Sequence, residues 1–135
     1  MGALTVSAAD IRPLPGCIMR RFVAGATVRI GRAVYLSAAD TVTEAIGTSV
    51  AAAAVIGIAV ATPDGGTSAT IGKYVDVVLL GPVAGFTDAI YGAYYYISDT
   101  VGIMHTTTGT ASTIVGQGLS LTTFLVRPKV VTLTL

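Results

Sequence analysis

Charge is the scarcest property of this sequence. Eight lysines and arginines and seven aspartates and glutamates make up 11% of its 135 residues, against about 25% in an ordinary soluble domain. The length suits one compact core, or two very small lobes sharing one. A domain with 53% hydrophobic residues and so few charges is short of the wet surface that keeps a monomer dispersed. Much of that surface is therefore expected to lie against copies of itself or a partner. The many Thr and Ser residues leave open a monomer that is polar without being charged. A net charge of +1 gives no pull toward nucleic acid or an anionic membrane.

Tryptophan is absent, and cysteine and histidine occur once each. A lone Cys17 excludes an intrachain disulfide and fits synthesis in a reducing compartment. Despite the nearby Arg20 and Arg21 it reads as a small packing residue. Zinc sites need several Cys or His ligands, so no zinc is expected. His105 is the only available base for a hydrolytic triad. It sits in Met104-His105-Thr106-Thr107-Thr108 without a Gly-x-Ser-x-Gly elbow and reads as a surface residue. The acidic residues are scattered singly, without the spacing of a calcium loop or a carboxylate dyad. Glycines 57, 65 and 66 precede no Lys-Ser/Thr pair, so the phosphate-cradling loop is missing too. The expectation is a protein with no catalytic residues, metal or cofactor, and not an enzyme.

Residues 45–63 (AIGTSVAAAAVIGIAVATP) carry no charge and no Leu or Phe. The length just suffices for a membrane span, but Ala, Gly, Thr and Ser are the wrong content, so a β segment is expected instead. Nor does the start of the chain show a basic region followed by an apolar core. Asp10, Arg12 and two prolines interrupt it, and no signal peptide is expected.

What the chain does have is β patterning, and it has it twice. Gly31-Arg32-Ala33-Val34-Tyr35-Leu36-Ser37 leads to Asp40-Thr41-Val42, and Gly92-Ala93-Tyr94-Tyr95-Tyr96-Ile97-Ser98 leads to Asp99-Thr100-Val101. Further on, Val55-Ile56-Gly57-Ile58-Ala59 matches Ile114-Val115-Gly116-Gln117-Gly118, and Val78–Val83 matches Leu125–Val130. The leading glycine precedes the later one by 26 residues in one unit and 24 in the other, and the first unit holds two extra residues before its Asp-Thr-Val. One offset explains both spacings.

The β-branched and aromatic runs Val34–Ser37 and Tyr94–Ser98 read as strands, and Thr62–Thr67 (TPDGGT) as a turn. Thr106–Ser112 reads as a loop and Val130–Leu135 as a terminal strand. Pro82 and Pro128 are expected to stop their strands. Thr48–Ala54 is the only segment with high helix propensity and is read as one short helix. The prediction is an all-β fold of small barrel or sandwich modules in two related units, with at most one short helix. Residues 1–22 would be an extended arm with a first strand at Leu4–Ser7. Residues 23–86 and 87–135 would be the two β units, or one merged domain.

Two surface features stand out. Residues 1–32 hold Arg12, Arg20, Arg21, Arg29 and Arg32 against Asp10 alone. The rest holds Lys73, Arg127 and Lys129 against Asp40, Glu44, Asp64, Asp76, Asp88 and Asp99. A basic segment on an acidic body fits either a solvated tail or an arm docking on an acidic neighbouring subunit. The second feature is Tyr91 with Tyr94, Tyr95 and Tyr96. Strand alternation puts Tyr94 and Tyr96 on one face and Tyr95 on the other. Tyrosines there suit a protein interface or the rim of a core. Stacking of single-stranded nucleic acid ranks last, for want of a basic groove. The candidate partner interface is thus Arg12, Arg20, Arg21, Arg29, Tyr94, Tyr95 and Tyr96.

Over roughly residues 20–130 the order of these pieces resembles the capsid decoration (cement) proteins of tailed bacteriophages. The resemblance rests on Val23-Ala24-Gly25-Ala26-Thr27-Val28, Gly31-Arg32-Ala33-Val34-Tyr35-Leu36, the polar Asp40-Thr41-Val42-Thr43, then Val55-Ile56-Gly57-Ile58-Ala59 and Val75-Asp76-Val77-Val78-Leu79. It implies a small β-barrel protein on the virion's capsid exterior, made in the host cytoplasm. It would bind the major capsid protein lattice, often as a homotrimer at local three-fold axes, without nucleic acid or membrane. The two units and the Arg-bearing N-terminal segment depart from that pattern. Alternatives are another virion or appendage component (fibre, tail or head-completion protein) and a ligand-binding β module.

Overall fold

A computed structural model describes residues 2–133. The strands are β1 (Thr5–Val6), β2 (Arg12–Pro13), β3 (Ile18–Ala24), β4 (Val28–Arg29), β5 (Ala33–Ala38), β6 (Thr41–Glu44) and β7 (Val55–Ala61), followed by β8 (Ser68–Ala69), β9 (Tyr74–Ala84), β10 (Phe86–Thr87), β11 (Tyr94–Ile97), β12 (Met104–His105), β13 (Ala111–Gly118) and β14 (Thr123–Leu133). The one helical element among the described residues is a 3-10 turn, Ala8–Asp10. The protein is all-β, as its sequence predicts. No helix is long and apolar enough to cross a membrane, and the uncharged 45–63 stretch is a turn followed by β7. The short helix expected at Thr48–Ala54 is a single turn, closed by Ala53 N–H donating to Ser49 C=O at 3.0 Å. One such bond does not offset the entropy of ordering a further turn, and the chain passes directly into β7.

Strand pairing forms one closed circuit and most of a second, which an isolated bridge and the chain itself complete; the two share β9. In the first, β9 pairs with β3 (Phe22↔Val75) and β3 runs parallel to β6 (Ala24↔Val42). Next, β6 pairs with β5 (Val34↔Glu44), β5 with β7 (Val34↔Gly57), and β7 returns to β9 (Ile58↔Val78). Closure leaves these five strands without a free edge along the paired stretch. The ribbon β4–β8 lies outside this circuit.

The second circuit uses the far end of β9. Gly81–Ala84 pair with β14 (Gly81↔Val126), β14 with β13 (Gly118↔Phe124), β13 with β11 (Tyr95↔Gly116) and β11 with β12 (Ile97↔Met104). The beginning of the chain then completes the circuit. Ala3 bridges His105, Leu4 N–H donates to Met104 C=O at 2.9 Å, and β1 pairs with β10, which follows β9 after one residue. Thus β5, β6, β7 and β9 of the first circuit correspond to β11, β12, β13 and β14 of the second, in the same pairing order. The matched glycines confirm the correspondence. A Cβ on Gly57 would press on Val78 C=O of the next strand, and one on Gly116 on Leu125 C=O.

Three sequence expectations are corrected. Residues 1–22 are extended, but their own chain takes them up: Leu4, Ile11 and Phe22 are buried in the core, and β1 and β2 pair with β10 and β9. The segment's apolar residues outweigh its prolines and charges. Neither Pro82 nor Pro128 ends its strand, since β9 runs to Ala84 and β14 to Leu133. Pro82 C=O accepts from Leu14 N–H at 3.1 Å. The N–H that proline lacks would face the same side, and the Leu14 C=O opposite it accepts instead from Cys17 N–H at 3.3 Å in the turn before β3, so no carbonyl is left unpaired. Gly81, at φ 118°, makes the bend at which β9 exchanges its neighbours, and its bare Cα admits Cys17 closely. Lastly, the expected loop 106–112 is shorter, because β13 starts at Ala111. The terminal strand expected at Val130–Leu135 is the end of β14 as far as Leu133; Thr134 and Leu135 lie outside the described residues.

One continuous hydrophobic cluster fills both circuits. The first is packed mostly with Val, Ala and Ile, among them Val34, Val42, Ile58, Val75 and Val77. The second is packed with larger groups: Phe124 lies 5.6 Å, centroid to centroid, from both Phe86 and Tyr95 in tilted and edge-on contacts.

Candidate interaction surfaces

The N-terminal arginines are largely held within their own chain. In β3, Arg21 sits directly opposite Asp76 of β9. Its Nε donates to Asp76 Oδ1 at 2.9 Å and its Nη2 to Oδ2 at 3.4 Å. These bonds raise the Arg21 pKa above its ordinary value. Arg20 donates to Asp40 at 2.6 Å, both side chains well exposed, and its guanidinium lies 5.0 Å from the Phe22 ring centroid. Arg29 makes the most embedded pair. Its guanidinium holds both oxygens of Glu44, at 2.9 and 2.6 Å, and its backbone N–H donates to Glu44 Oε2 at 2.7 Å. The Glu44 side chain is 5% exposed and that of Arg29 45%. Glu44 hydrogen bonding raises the Arg29 pKa, whereas burial lowers that of Arg32, which donates to Val101 C=O at 3.2 Å. Arg12 is exposed on β2. The set is therefore not one docking patch: Arg29 ties the β4–β8 ribbon to the barrel, and Arg20 and Arg21 stitch β3 to its surroundings.

The tyrosines divide as strand alternation predicts. Tyr95 is 1% exposed and belongs to the core rather than to a partner surface, its hydroxyl accepting from Ile90 N–H at 3.1 Å. Tyr94 is exposed and Tyr96 half-buried on the opposite face. Tyr91, at 80% the most exposed of the large apolar side chains, bridges Gly118 through its backbone.

Sequence reasoning missed the surroundings of these tyrosines. The turn after β10 rests on the β13–β14 hairpin: Ala89 N–H donates to Leu121 C=O at 3.1 Å, Gly92 N–H to Gly118 C=O at 2.8 Å, and Gln117 Nε2 to Gly92 C=O at 2.9 Å. Ile90, Tyr91, Leu119 and Leu121 are thereby gathered, all exposed, at one end of the second circuit. The signal was Leu119-Ser120-Leu121 at a hairpin tip, where polar residues are the rule. Beside them lies a hollow of about 120 Å³ lined by Tyr94, Ile114, Gly116, Gln117, Arg127 and Lys129. A second apolar patch lies on the first circuit, where exposed Ile18 pairs with exposed Leu80 next to exposed Met19.

His105 packs over Gly2, and its Nδ1 accepts from Thr107 N–H at 3.1 Å. Cys17 is a free, half-buried thiol against Gly81. Among the described residues no three His, Cys, Asp or Glu side chains gather closely enough to hold a metal ion. Asp64 organises its own turn: Thr62 Oγ1 donates to it at 2.6 Å and Gly66 N–H at 3.0 Å, which lowers its pKa. No family model and no curated protein matches this chain.

Proposed function

We propose that this protein decorates the outside of a tailed-phage capsid, binding the major capsid protein lattice and stabilising it, as homotrimers. The observation that carries this reading is the surface. A chain with so few charges places large apolar side chains in two exposed patches, Ile18–Met19–Leu80 on one circuit and Ile90–Tyr91–Leu119–Leu121 on the other. Two separated patches fit a protein with two kinds of contact, one to a lattice and one to a copy of itself. The sequence resemblance to decoration proteins supplies the identity of the lattice. A closed, tightly hydrogen-bonded barrel pair also suits a rigid clamp, because little ordering entropy remains to oppose binding.

The test is to mix the purified protein with expanded and unexpanded phage heads lacking their decoration protein. Saturable co-sedimentation with expanded heads, and density on their outer surface by electron microscopy, is the expected result. Equal failure with every head tried, at concentrations up to tens of micromolar, refutes the capsid role.

A further inference from the structure

The turn after β10 and the hollow on the neighbouring sheet face are complementary to each other. The turn presents Asp88, Ile90 and Tyr91, all exposed. Asp88 takes part in none of the ion pairs among the described residues. The hollow offers the opposite. Arg127 and Lys129 stand at its rim, likewise outside those ion pairs. Its remaining walls are the apolar faces of Tyr94 and Ile114 and the bare backbone of Gly116. Gly116 contributes only backbone there, since a Cβ on it would meet Leu125 C=O and the buried Phe124 ring. At about 120 Å³ it has room for one branched aliphatic side chain.

Of the seven acidic residues, Asp40, Asp76 and Glu44 are committed to arginines, while Asp64 and Asp99 are hydrogen-bonded within their own loops. Asp10 and Asp88 remain, and only Asp88 stands beside exposed apolar residues. The geometry points to a second copy of this chain as the occupant of the hollow. Ile90 of one copy enters between Tyr94 and Ile114 of the next, with Asp88 reaching Arg127 and Lys129. Knob and hollow adjoin on one end of the molecule, joined through the Gln117–Gly92 hydrogen bond. That placement favours a closed ring over an open filament, for which they would sit on opposite ends. The inference rests on the self-association contained in the capsid reading and names the surface for it, while its test reads the protein alone in solution.

Sedimentation velocity at about 10 to 100 µM tests it, with far-UV circular dichroism and thermal melting as checks on folding. The wild-type chain is expected to sediment as a multiple of its 13.6 kDa mass. The variant Arg127→Glu/Lys129→Glu is expected to fall to the monomer with an unchanged melt. Asp88→Asn, which keeps a residue tolerant of the φ of 63° there, should weaken association at least tenfold. Asp88→Lys combined with Arg127→Glu/Lys129→Glu inverts both sides and should associate again. A monomeric wild type, an Arg127→Glu/Lys129→Glu variant that assembles as the wild type does, or an inverted variant that stays monomeric overturns the proposal. Attachment to phage heads is read separately: a monomeric wild type removes the homotrimer in solution, whereas only failed co-sedimentation with heads removes the capsid role.

Discussion

The two circuits follow one plan and are completed by different means. In the first, β3 precedes β5–β9 in the chain and closes the ring by its parallel pairing to β6. In the second, the stretch before β11 is β9 and β10, and β9 is already committed to the first ring. The gap between β10 and β12 is filled by residues 2–6 from the opposite end of the chain. Their means of cohesion differ as well. All three ion pairs among the described residues, Arg20–Asp40, Arg21–Asp76 and Arg29–Glu44, belong to the first circuit or its ribbon. The second relies on the Phe86–Phe124–Tyr95 aromatic cluster and on Leu4. A duplicated sequence therefore need not give two independent lobes. A shared strand and a borrowed one join the copies around one continuous hydrophobic cluster.

The borrowed strand is where this contrast is most easily broken. Removing residues 1–6, or the single change Leu4→Ala, should cost about 2–5 kcal/mol, the range for emptying a buried Leu site. Hydrogen exchange should then show lost protection in β10–β14 while β3–β7 stay protected. Uniform loss across both circuits would mean that they unfold as one at every level.

The ion pairs can be ranked against one another. Arg29→Ala leaves the buried Glu44 carboxylate without its charged donor and should destabilise the chain by about 1.5–3 kcal/mol in chemical denaturation. Arg20→Ala, whose pair is solvent-exposed, should cost about 0.2–1 kcal/mol and less still at high salt. Similar losses from the two would contradict the assignment of Glu44 as the more embedded partner.

Gly57→Ala and Gly116→Ala test the duplication directly. Each new methyl group meets a carbonyl oxygen of the adjacent strand, so each should lower stability by about 1–3 kcal/mol, and by similar amounts if the two sites are equivalent. A neutral Gly116→Ala beside a damaging Gly57→Ala would show that the second circuit is the looser of the two.

The smallest effect concerns pH. The Asp64 carboxylate is held below its ordinary pKa by the Thr62 hydroxyl and the Gly66 N–H. Its contribution is complete above the unfolded-state pKa and is lost as pH falls through the lowered folded value. An NMR titration should show the Gly66 amide following Asp64 at a pH below the usual carboxylate range, with little change in global stability. Asp64→Asn should abolish that transition.

The β class and the matched strands carrying Tyr35 and Tyr96, and Gly57 and Gly116, were legible from residues alone, because strand alternation is local: Tyr94, Tyr95 and Tyr96 sort to their faces by the two-residue repeat of any strand. The matched Asp-Thr-Val runs are not equivalent, since Thr41-Val42 lie in β6 and Thr100-Val101 in the turn before β12, where Met104 takes the place of Val42. The fate of residues 1–22 was not. Two prolines and several arginines gave the segment the look of a solvated arm, and only the vacancy between β10 and β12, created by folding more than 80 residues away, makes Leu4 a core residue. The same holds for Pro82, acceptable because of what lies opposite it, and for Arg29, whose partner Glu44 is brought beside it by the pairing of β6. Local sequence determined which segments would be strands and which way their side chains would alternate. The tertiary structure decided which strand completes which barrel, because closure depends on hydrogen-bonding partners that no local stretch of chain contains.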